Sequence, residues 1–234
     1  EYAALRRGLI RTDRAIEGVA PPGDPRRHQA ILDGHAIRYH QPGTHAAAAT
    51  TDAARHEQTS SFAIADRFGN VVSVTHSING GFGSGMTVEG AGFLLNNRAA
   101  YFGLDAGDIN VVAPGKRTRQ GAIPAMALKN GKPYLAWNTP GGDTIPQMMS
   151  QAFLNVVEFG MTVQQAVEAP SVASSNFRVS YYPQNPGNGL AMPQHLADRV
   201  GKALEALGHP VQATPTQPPY GAPSGTGAVK MILI

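Results

Sequence analysis

Apolar residues alternate with small or polar ones in two neighbouring segments of the chain, around Phe62 and Ile64 and again around Val72 and Val74. A period of two along the chain predicts β-strands, because successive side chains of a strand point to opposite faces. The segment 66–70 between them reads Asp-Arg-Phe-Gly-Asn and supplies the turn residues of a hairpin. The pattern therefore predicts two adjacent antiparallel strands.

Further strands are predicted downstream of a glycine-rich stretch, Asn-Gly-Gly-Phe-Gly-Ser-Gly, at 79–85. One strand is expected at about 91–96. A second hairpin is expected at about 124–129 and 132–137, joined by the dipeptide Asn130-Gly131, which favours a turn of the primed type.

A helical period dominates the second half of the chain. One helix is predicted at 146–159, and a second runs from the capping box formed by Thr162 and Gln165 to a point before Pro170. A third is predicted at about 194–207. Strands followed by helices and one more apolar alternation at 229–234 indicate an α+β fold, in which helices cover a sheet.

The start of the chain has a different pattern. Residues 1–14 are predicted to be the last turns of a helix, whereas 15–58 lose all periodicity and are rich in Pro, Gly, Ala and His. Five of the eight histidines lie in this segment, so a metal site and a solvated linker are both conceivable there, and the irregular spacing favours the linker. Because both ends interrupt a pattern, we expect a piece of a longer protein.

Composition excludes several functions. The net charge of +3 comes from scattered pairs of basic residues without interleaved aromatic ones, which argues against a nucleic-acid partner. No stretch reaches the roughly 18 apolar residues of a membrane span. With no cysteine, disulfides, thiolate metal sites and a Cys nucleophile are excluded together. Motifs of the nucleophile-elbow, phosphate-loop and zinc-protease types are also missing.

Three polar or flexible positions could together perform acyl transfer. Thr59 is expected to open the first strand, and in the predicted hairpin it lies near the register of Ser77, so that the two hydroxyls can meet. Gly141 and Gly142 precede a helix start and can direct backbone N–H groups at a developing oxyanion. If the bond between Gln58 and Thr59 is cut, the freed α-amine of Thr59 becomes the missing base.

Several motifs carry a resemblance to a known family. The run from Thr59 through Gly85, the Gly-Phe-Leu-Leu-Asn-Asn at 92–97, the Gly-Lys-Arg at 115–117, the Thr-Pro-Gly-Gly-Asp at 139–143 and the helix pattern after it occur in this order. They resemble the small subunit of the γ-glutamyltranspeptidases and their relatives.

That resemblance implies an N-terminal nucleophile hydrolase, a four-layer αββα sandwich made as one chain that cleaves itself before the catalytic threonine. Residues 1–58 would be the tail of the large subunit with a linker, and 59–234 the small-subunit catalytic region, truncated at its C-terminus. Thr59 would be the nucleophile and Ser77 would take the place of a supporting threonine. Asn79 would contact substrate, and Gly141 and Gly142 would be the oxyanion donors.

Departures from the family pattern concern the acyl pocket. Arg98 and Tyr101 stand where relatives that handle γ-glutamyl groups have a Gln or Glu and an Asp for the substrate's α-ammonium, and Gln120 and Gly121 replace two serines for its α-carboxylate. A cation at the first position repels an ammonium. We therefore expect an acyl group without an α-amine, with a carboxylate that Arg98 can hold, as in glutaryl or oxamate amides.

Three functions stay open at this level. The first is an autoprocessing threonine amidohydrolase or acyltransferase with an altered acyl pocket. The second is a true γ-glutamyltransferase or glutathione hydrolase, and the third is a non-catalytic or unprocessed homologue that acts as a binding module. The expected partners are a small-molecule amide and the rest of the large subunit, with neither a metal nor an organic cofactor implied. Both a periplasmic or secreted and a cytoplasmic location are compatible with the sequence.

Overall fold

The computed structural model describes residues 2–16, 57–181, 184, 187–215 and 229–234. The predicted linker with its five histidines falls almost wholly on 17–56, outside the described residues. Helix α1 (Tyr2–Arg7) is shorter than the predicted 1–14. Leu5 and Ile10 are 61% and 69% exposed, so the apolar side of this segment has no described surface to pack on, which removes the main stabilising contribution to a longer helix.

The first predicted hairpin is confirmed. Strand β1 (Glu57–Ala65) pairs with β2 (Val71–Gly80) in an antiparallel ladder. Asp66 closes the turn, because its carboxylate accepts hydrogen bonds from the backbone N–H of Phe68 and from both the backbone and side-chain N–H of Asn70. These donors hold the pKa of Asp66 below its ordinary value, the side chain of Asn70 most strongly.

The second hairpin is confirmed as well, with β3 (Ala125–Lys129) and β4 (Lys132–Asn138). Its turn residues Asn130 and Gly131 have φ angles of 54° and 77°, which is the left-handed pair that a type I′ turn requires. Strand β8 (Lys230–Leu233), the last apolar alternation of the chain, pairs with the other edge of β4.

The strand predicted at 91–96 is wrong. The described chain forms only an isolated bridge there, between Thr87 and Leu94. Gly90 and Gly92 have φ angles of 76° and 71°, so the backbone bends away from the extended conformation just where a strand would have to begin.

The predicted helices are confirmed with small changes at their ends: α2 (Ile145–Val157), α3 (Val163–Glu168) and α4 (Gln194–Ala206). Thr162 and Gln165 form the expected capping box. A third sheet has no counterpart in the sequence predictions. It consists of β5 (Ala173–Ser174), β6 (Leu190–Pro193) and β7 (Val211–Thr214), and α4 provides the crossover between the parallel strands β6 and β7.

The core lies between α2 and one face of the β3–β4–β8 sheet. Leu135 and Trp137 of β4 pack against Ile145 and Met149 of α2, and the Trp137 ring stacks on Phe153 at a centroid distance of 5.0 Å. Since alternate residues of a strand point to opposite faces, Asn138 is on the other face. There its Nδ2 donates to the Phe62 carbonyl at 2.7 Å and to Ser73 Oγ at 2.8 Å.

Asn138 therefore fastens the β1–β2 hairpin onto the sheet, and the described residues supply three successive layers: helices, sheet and hairpin. The far face of the hairpin is apolar and open, with Phe62, Ile64 and Val72 45%, 57% and 50% exposed.

Replacement of Asn138 by Ala is expected to lower the free energy of unfolding by about 1–3 kcal/mol, because the Phe62 carbonyl and the Ser73 hydroxyl lose a buried donor. Asn138→Asp should cost more, since it places an acceptor against two acceptors. Denaturant unfolding of the full-length protein measures both. The exposed Asn188→Ala is the control, and an Asn138→Ala variant as stable as this control would contradict the fastening role.

Candidate active site

Thr59 and Ser77 meet as the sequence register predicts. They are directly paired across β1 and β2, and Thr59 Oγ1 donates to Ser77 Oγ at 3.0 Å. β1 begins at Glu57, two residues before the expected start, so Thr59 lies inside a continuous strand. The ladder changes register between Glu57 and Thr59, which puts an irregularity at the bond that precedes the threonine.

The backbone of Asn79 also bonds to this hydroxyl pair. Its N–H donates to Ser77 Oγ at 3.0 Å, and its φ of 78° turns the strand end so that this short-range bond can form. Asn tolerates the left-handed region better than other non-glycine residues. With 1% of its surface exposed, Asn79 is buried beside the pair.

The side chain of Asn79 is held at both ends by residues that sequence reasoning missed. Its Nδ2 donates to Asn97 Oδ1 at 2.9 Å, and its Oδ1 accepts from the Tyr181 hydroxyl at 2.7 Å. Asn97 belongs to a motif that carried the family resemblance, so its position in the sequence was a usable signal. Tyr181 lies 102 residues from Asn79, and no local pattern predicts that contact.

Arg98 and Tyr101 join the same network through Tyr181. Arg98 Nη1 donates to the Tyr101 hydroxyl at 2.9 Å, and its guanidinium lies over the ring at 5.1 Å. Tyr101 is 2% exposed and meets the Tyr181 ring edge-on at 5.2 Å. The first two predicted acyl-pocket residues thus contact each other, while their role in substrate binding stays a prediction.

Gly141 and Gly142 adopt φ angles of 135° and 53°, which a side chain would strain. A short 3₁₀ turn at Gly142–Thr144 leads from them into α2. The N–H and hydroxyl of Thr144 both donate to the Gly141 carbonyl, at 3.1 and 2.8 Å. Within the described part of the chain, the N–H groups of Gly141 and Gly142 donate to no protein acceptor. They are therefore available to an oxygen ligand.

A cavity of about 430 Å³ adjoins this turn, and Gln120, Gly121 and Gly142 all line it. A Cβ added at Gly121 would stand 3.3 Å from the Gly142 carbonyl oxygen, so the two segments approach closely. The Gln120 Oε1 is occupied, because it accepts from the N–H groups of Gly121 and Ala122 at 3.0 and 3.1 Å.

Three further residues of this cavity were missed: Arg119, Asp143 and Ser180. Arg119 Nη2 forms an ion pair with Asp143 Oδ1 at 3.0 Å, and Arg119 Nε donates to Ser180 Oγ at 3.1 Å. The Ser180 hydroxyl and N–H in turn donate to the two oxygens of Asp143. Arg119 and Asp143 sit beside predicted site residues, but nothing in the sequence marks them as partners.

The predicted site residues thus form two groups. Thr59, Ser77, Asn79, Arg98 and Tyr101 share one network of contacts, and Gln120, Gly121 and Gly142 share one cavity. Asn110 links the surroundings of the two groups, because its Nδ2 donates to the Tyr101 carbonyl and its Oδ1 accepts from the backbone N–H of Arg119, which lines the cavity.

Among the described residues, no three or more His, Cys, Asp or Glu side chains are grouped so that they could hold a metal ion. None of the helices in the described part of the chain could span a membrane.

Comparison with known proteins defines the class. The Gamma-glutamyltranspeptidase family profile matches residues 9–228, and the chain belongs to this family of N-terminal nucleophile hydrolases. The chain is 36% identical to the acylase ACY 1 proenzyme of Pseudomonas sp. strain SE83 over 157 residues, which are 67% of this chain and 26% of that protein. It is 35% identical to the glutathione hydrolase proenzyme of Bacillus subtilis subsp. natto over 153 residues, 65% of this chain and 26% of that protein.

Among solved structures, the cephalosporin acylase of Bacillus halodurans superposes with a TM-score of 0.61 at 30% identity, over 74% of this chain and 29% of that one. The α+β architecture and the family resemblance inferred from the motifs are confirmed. The chain spans about a quarter of the length of the curated relatives it matches.

Ser77→Ala is expected to slow acyl transfer by roughly 5- to 150-fold, the equivalent of about 1–3 kcal/mol, because Thr59 Oγ1 loses its acceptor and the N–H of buried Asn79 is left unpaired. Ser77→Thr keeps the oxygen and should retain most activity. Initial rates of anilide hydrolysis by the full-length protein compare the two. Equal rates for Ser77→Ala and the unaltered protein would show that Ser77 does not contribute to the reaction.

Proposed function

We propose that this chain contains the catalytic small-subunit region of an autoprocessing threonine amidohydrolase or acyltransferase. The observation that carries the proposal is the 3.0 Å hydrogen bond from Thr59 Oγ1 to Ser77 Oγ, at the residue where the motif resemblance implies the family's nucleophile. A hydroxyl already held in one direction loses little freedom when it attacks a substrate.

Processing would begin at the peptide bond between Gln58 and Thr59. The Thr59 oxygen attacks the Gln58 carbonyl carbon, the C–N bond breaks, and an ester forms while the nitrogen becomes an amine. Water then cleaves the ester, which restores the hydroxyl and leaves Gln58 with a carboxylate. The change of ladder register between Glu57 and Thr59 supports the location, because a bulge leaves its extra residue unpaired in the ladder.

The α-amine released in this way would serve as the base of the amidase reaction. It takes the proton as Thr59 Oγ1 adds to the substrate amide carbonyl, and it gives that proton to the amine that leaves when the C–N bond breaks. Water or an acceptor amine then takes the acyl group from the threonine. The N–H groups of Gly141 and Gly142 would donate to the oxyanion of each tetrahedral intermediate.

The acyl pocket would differ from that of a γ-glutamyl enzyme. Arg98 and Tyr101 bind each other, and Gln120 and Gly121 line a cavity without the serine hydroxyls that hold an α-carboxylate in γ-glutamyl relatives. The relatives named acylase and glutathione hydrolase are equally similar to this chain, so similarity favours neither substrate. The departures favour an acyl group without an α-ammonium.

The remaining large-subunit segment of the same precursor is the proposed partner. Phe62, Ile64 and Val72 leave an apolar face on the hairpin that carries Thr59, and burial of such a face is a strong driving force for association. A segment that covers it would also complete the fourth layer of the sandwich.

Expression of the full-length gene is expected to give two chains, one of which begins at Thr59. Thr59→Ala should give a single uncut chain without amidase activity, because the attacking oxygen is absent. Intact mass spectrometry and anilide hydrolysis measure the two effects. Ser60→Ala, the neighbouring exposed hydroxyl, is the matched control and should still be cut. A stable single chain from the unaltered gene would favour the binding-module alternative.

Substrate preference separates the altered pocket from a true γ-glutamyltransferase. The processed protein is expected to hydrolyse a glutaryl anilide with a kcat/KM at least about tenfold above that for the γ-glutamyl anilide, because the half-buried cation of Arg98 disfavours the α-ammonium. The two compounds differ only in that ammonium. A preference for the γ-glutamyl anilide would contradict this interpretation of the pocket.

A further inference from the structure

We propose that Arg119 determines the specificity of the acyl pocket, and that it holds a carboxylate at the far end of the acyl group. The substrate class would then be the monoamides of dicarboxylic acids. This inference rests on the proposed amidase function. It assigns the contact with the substrate's carboxylate to Arg119 and not to Arg98.

One edge of the Arg119 guanidinium is fixed by the protein. Nε donates to Ser180 Oγ at 3.1 Å, and Nη2 donates to Asp143 Oδ1 at 3.0 Å and to the Arg178 carbonyl at 3.1 Å. A guanidinium tethered by three groups keeps its orientation without a ligand. Binding of a ligand at Nη1 therefore costs little further side-chain entropy.

Of the two terminal nitrogens, Nη1 is available, whereas Nη2 donates to Asp143, Ser180 and the Arg178 carbonyl. Within the described residues Nη1 of Arg119 has no acceptor, the side chain is 39% exposed, and the residue lines the cavity beside Gly142. Gln120 adds a second spare donor, since its Oε1 accepts two backbone N–H groups while its Nε2 has no acceptor in the described part of the chain.

The carboxylate of Asp143 is already bonded to its neighbours and does not use these spare donors. Its Oδ1 accepts from Arg119 and from the Ser180 hydroxyl, and its Oδ2 accepts from the Ser180 N–H at 2.8 Å. The carboxylate is thus satisfied inside the cluster and is a poor site for a substrate ammonium. The two lining side-chain groups that have no partner among the described residues, Arg119 Nη1 and Gln120 Nε2, are both donors, and a carboxylate is the ligand that accepts several such bonds at once.

The walls of the cavity suit a short carbon chain between two polar ends. Pro146 and Phe177 contribute apolar surface, while Gly142 at one side is an expected oxyanion donor. An acyl group whose carbonyl lies at Gly142 could extend along these walls with its carboxylate at Arg119. Arg98 lines no part of this cavity, and its Nη1 is already bonded to Tyr101.

The test compares a charged with an uncharged acyl group of equal length on the full-length, processed protein. Arg119→Gln should lower the ratio of kcat/KM for glutaryl anilide to that for pentanoyl anilide by about 10- to 100-fold, mainly through KM, since one charge-assisted hydrogen-bonded contact is lost. Arg199→Gln removes the same charge from the exposed side of α4 and should leave the ratio unchanged.

Arg119→Lys keeps a cation near Asp143 but loses the Nη1 donor. It should therefore lower the ratio of kcat/KM values while the protein still folds and is processed. A ratio that stays within about twofold in both Arg119 variants would overturn the inference. So would a loss of selectivity in Arg98→Gln but not in Arg119→Gln, because Arg98 would then be the carboxylate ligand.

Calorimetric measurement of glutarate binding tests the carboxylate site at Arg119 independently of turnover. The unaltered protein should bind glutarate at least about tenfold more tightly than either Arg119 variant. If the unaltered protein binds glutarate in this manner but hydrolyses neither anilide, the proposed amidase function fails and the anion site stands. If the unaltered protein does not bind glutarate, the site itself is refuted.

Discussion

The register of the β1–β2 hairpin is the constraint on which the candidate site depends. A shift by one residue would turn Thr59 to the opposite face of the hairpin and away from Ser77. The turn at Asp66–Asn70 sets that register at one end, and the bond from Thr59 Oγ1 to Ser77 Oγ joins the two strands near the other. Asn138 then fixes the hairpin against the sheet through the Phe62 carbonyl and Ser73.

The same constraint explains why polar residues are buried in this part of the molecule. Asn79 and Asn138 are 1% and 0% exposed, and the side-chain amide of each bonds to other segments. Asn79 uses both its Nδ2 and its Oδ1, whereas Asn138 uses its Nδ2 and its Oδ1 has no partner among the described residues. Buried hydrogen bonds of this kind are directional. The directional hydrogen bonds of these two residues therefore fix the position of the hydroxyl pair more closely than nonspecific apolar packing would.

Sequence reasoning succeeded where the determining interactions are local. Both hairpins follow from turn residues a few positions apart, and the capping box of Thr162 with Gln165 spans three residues. It failed where glycines impose a local bend, as at Gly90 and Gly92, and where contacts are distant in sequence. The third sheet, the bond from Tyr181 to Asn79 and the cluster around Arg119 join segments between about 10 and 100 residues apart, for which one sequence has no periodic signal.

The two groups of site residues have different proposed roles, one in nucleophilic attack and the other in recognition of the acyl group. This difference suggests how substrate specificity could change within the family. In the proposed mechanism, attack by Thr59 would need the hydroxyl pair and amide donors, which depend on backbone geometry and small residues. Recognition of the acyl group would depend on the charges that line the cavity. The side chain of Arg119 bonds to Asp143 and Ser180, whereas its link to Tyr101 through Asn110 uses the backbone N–H of Arg119. A substitution of the Arg119 side chain can therefore alter the charge presented to a substrate while the backbone link to the Thr59 network remains.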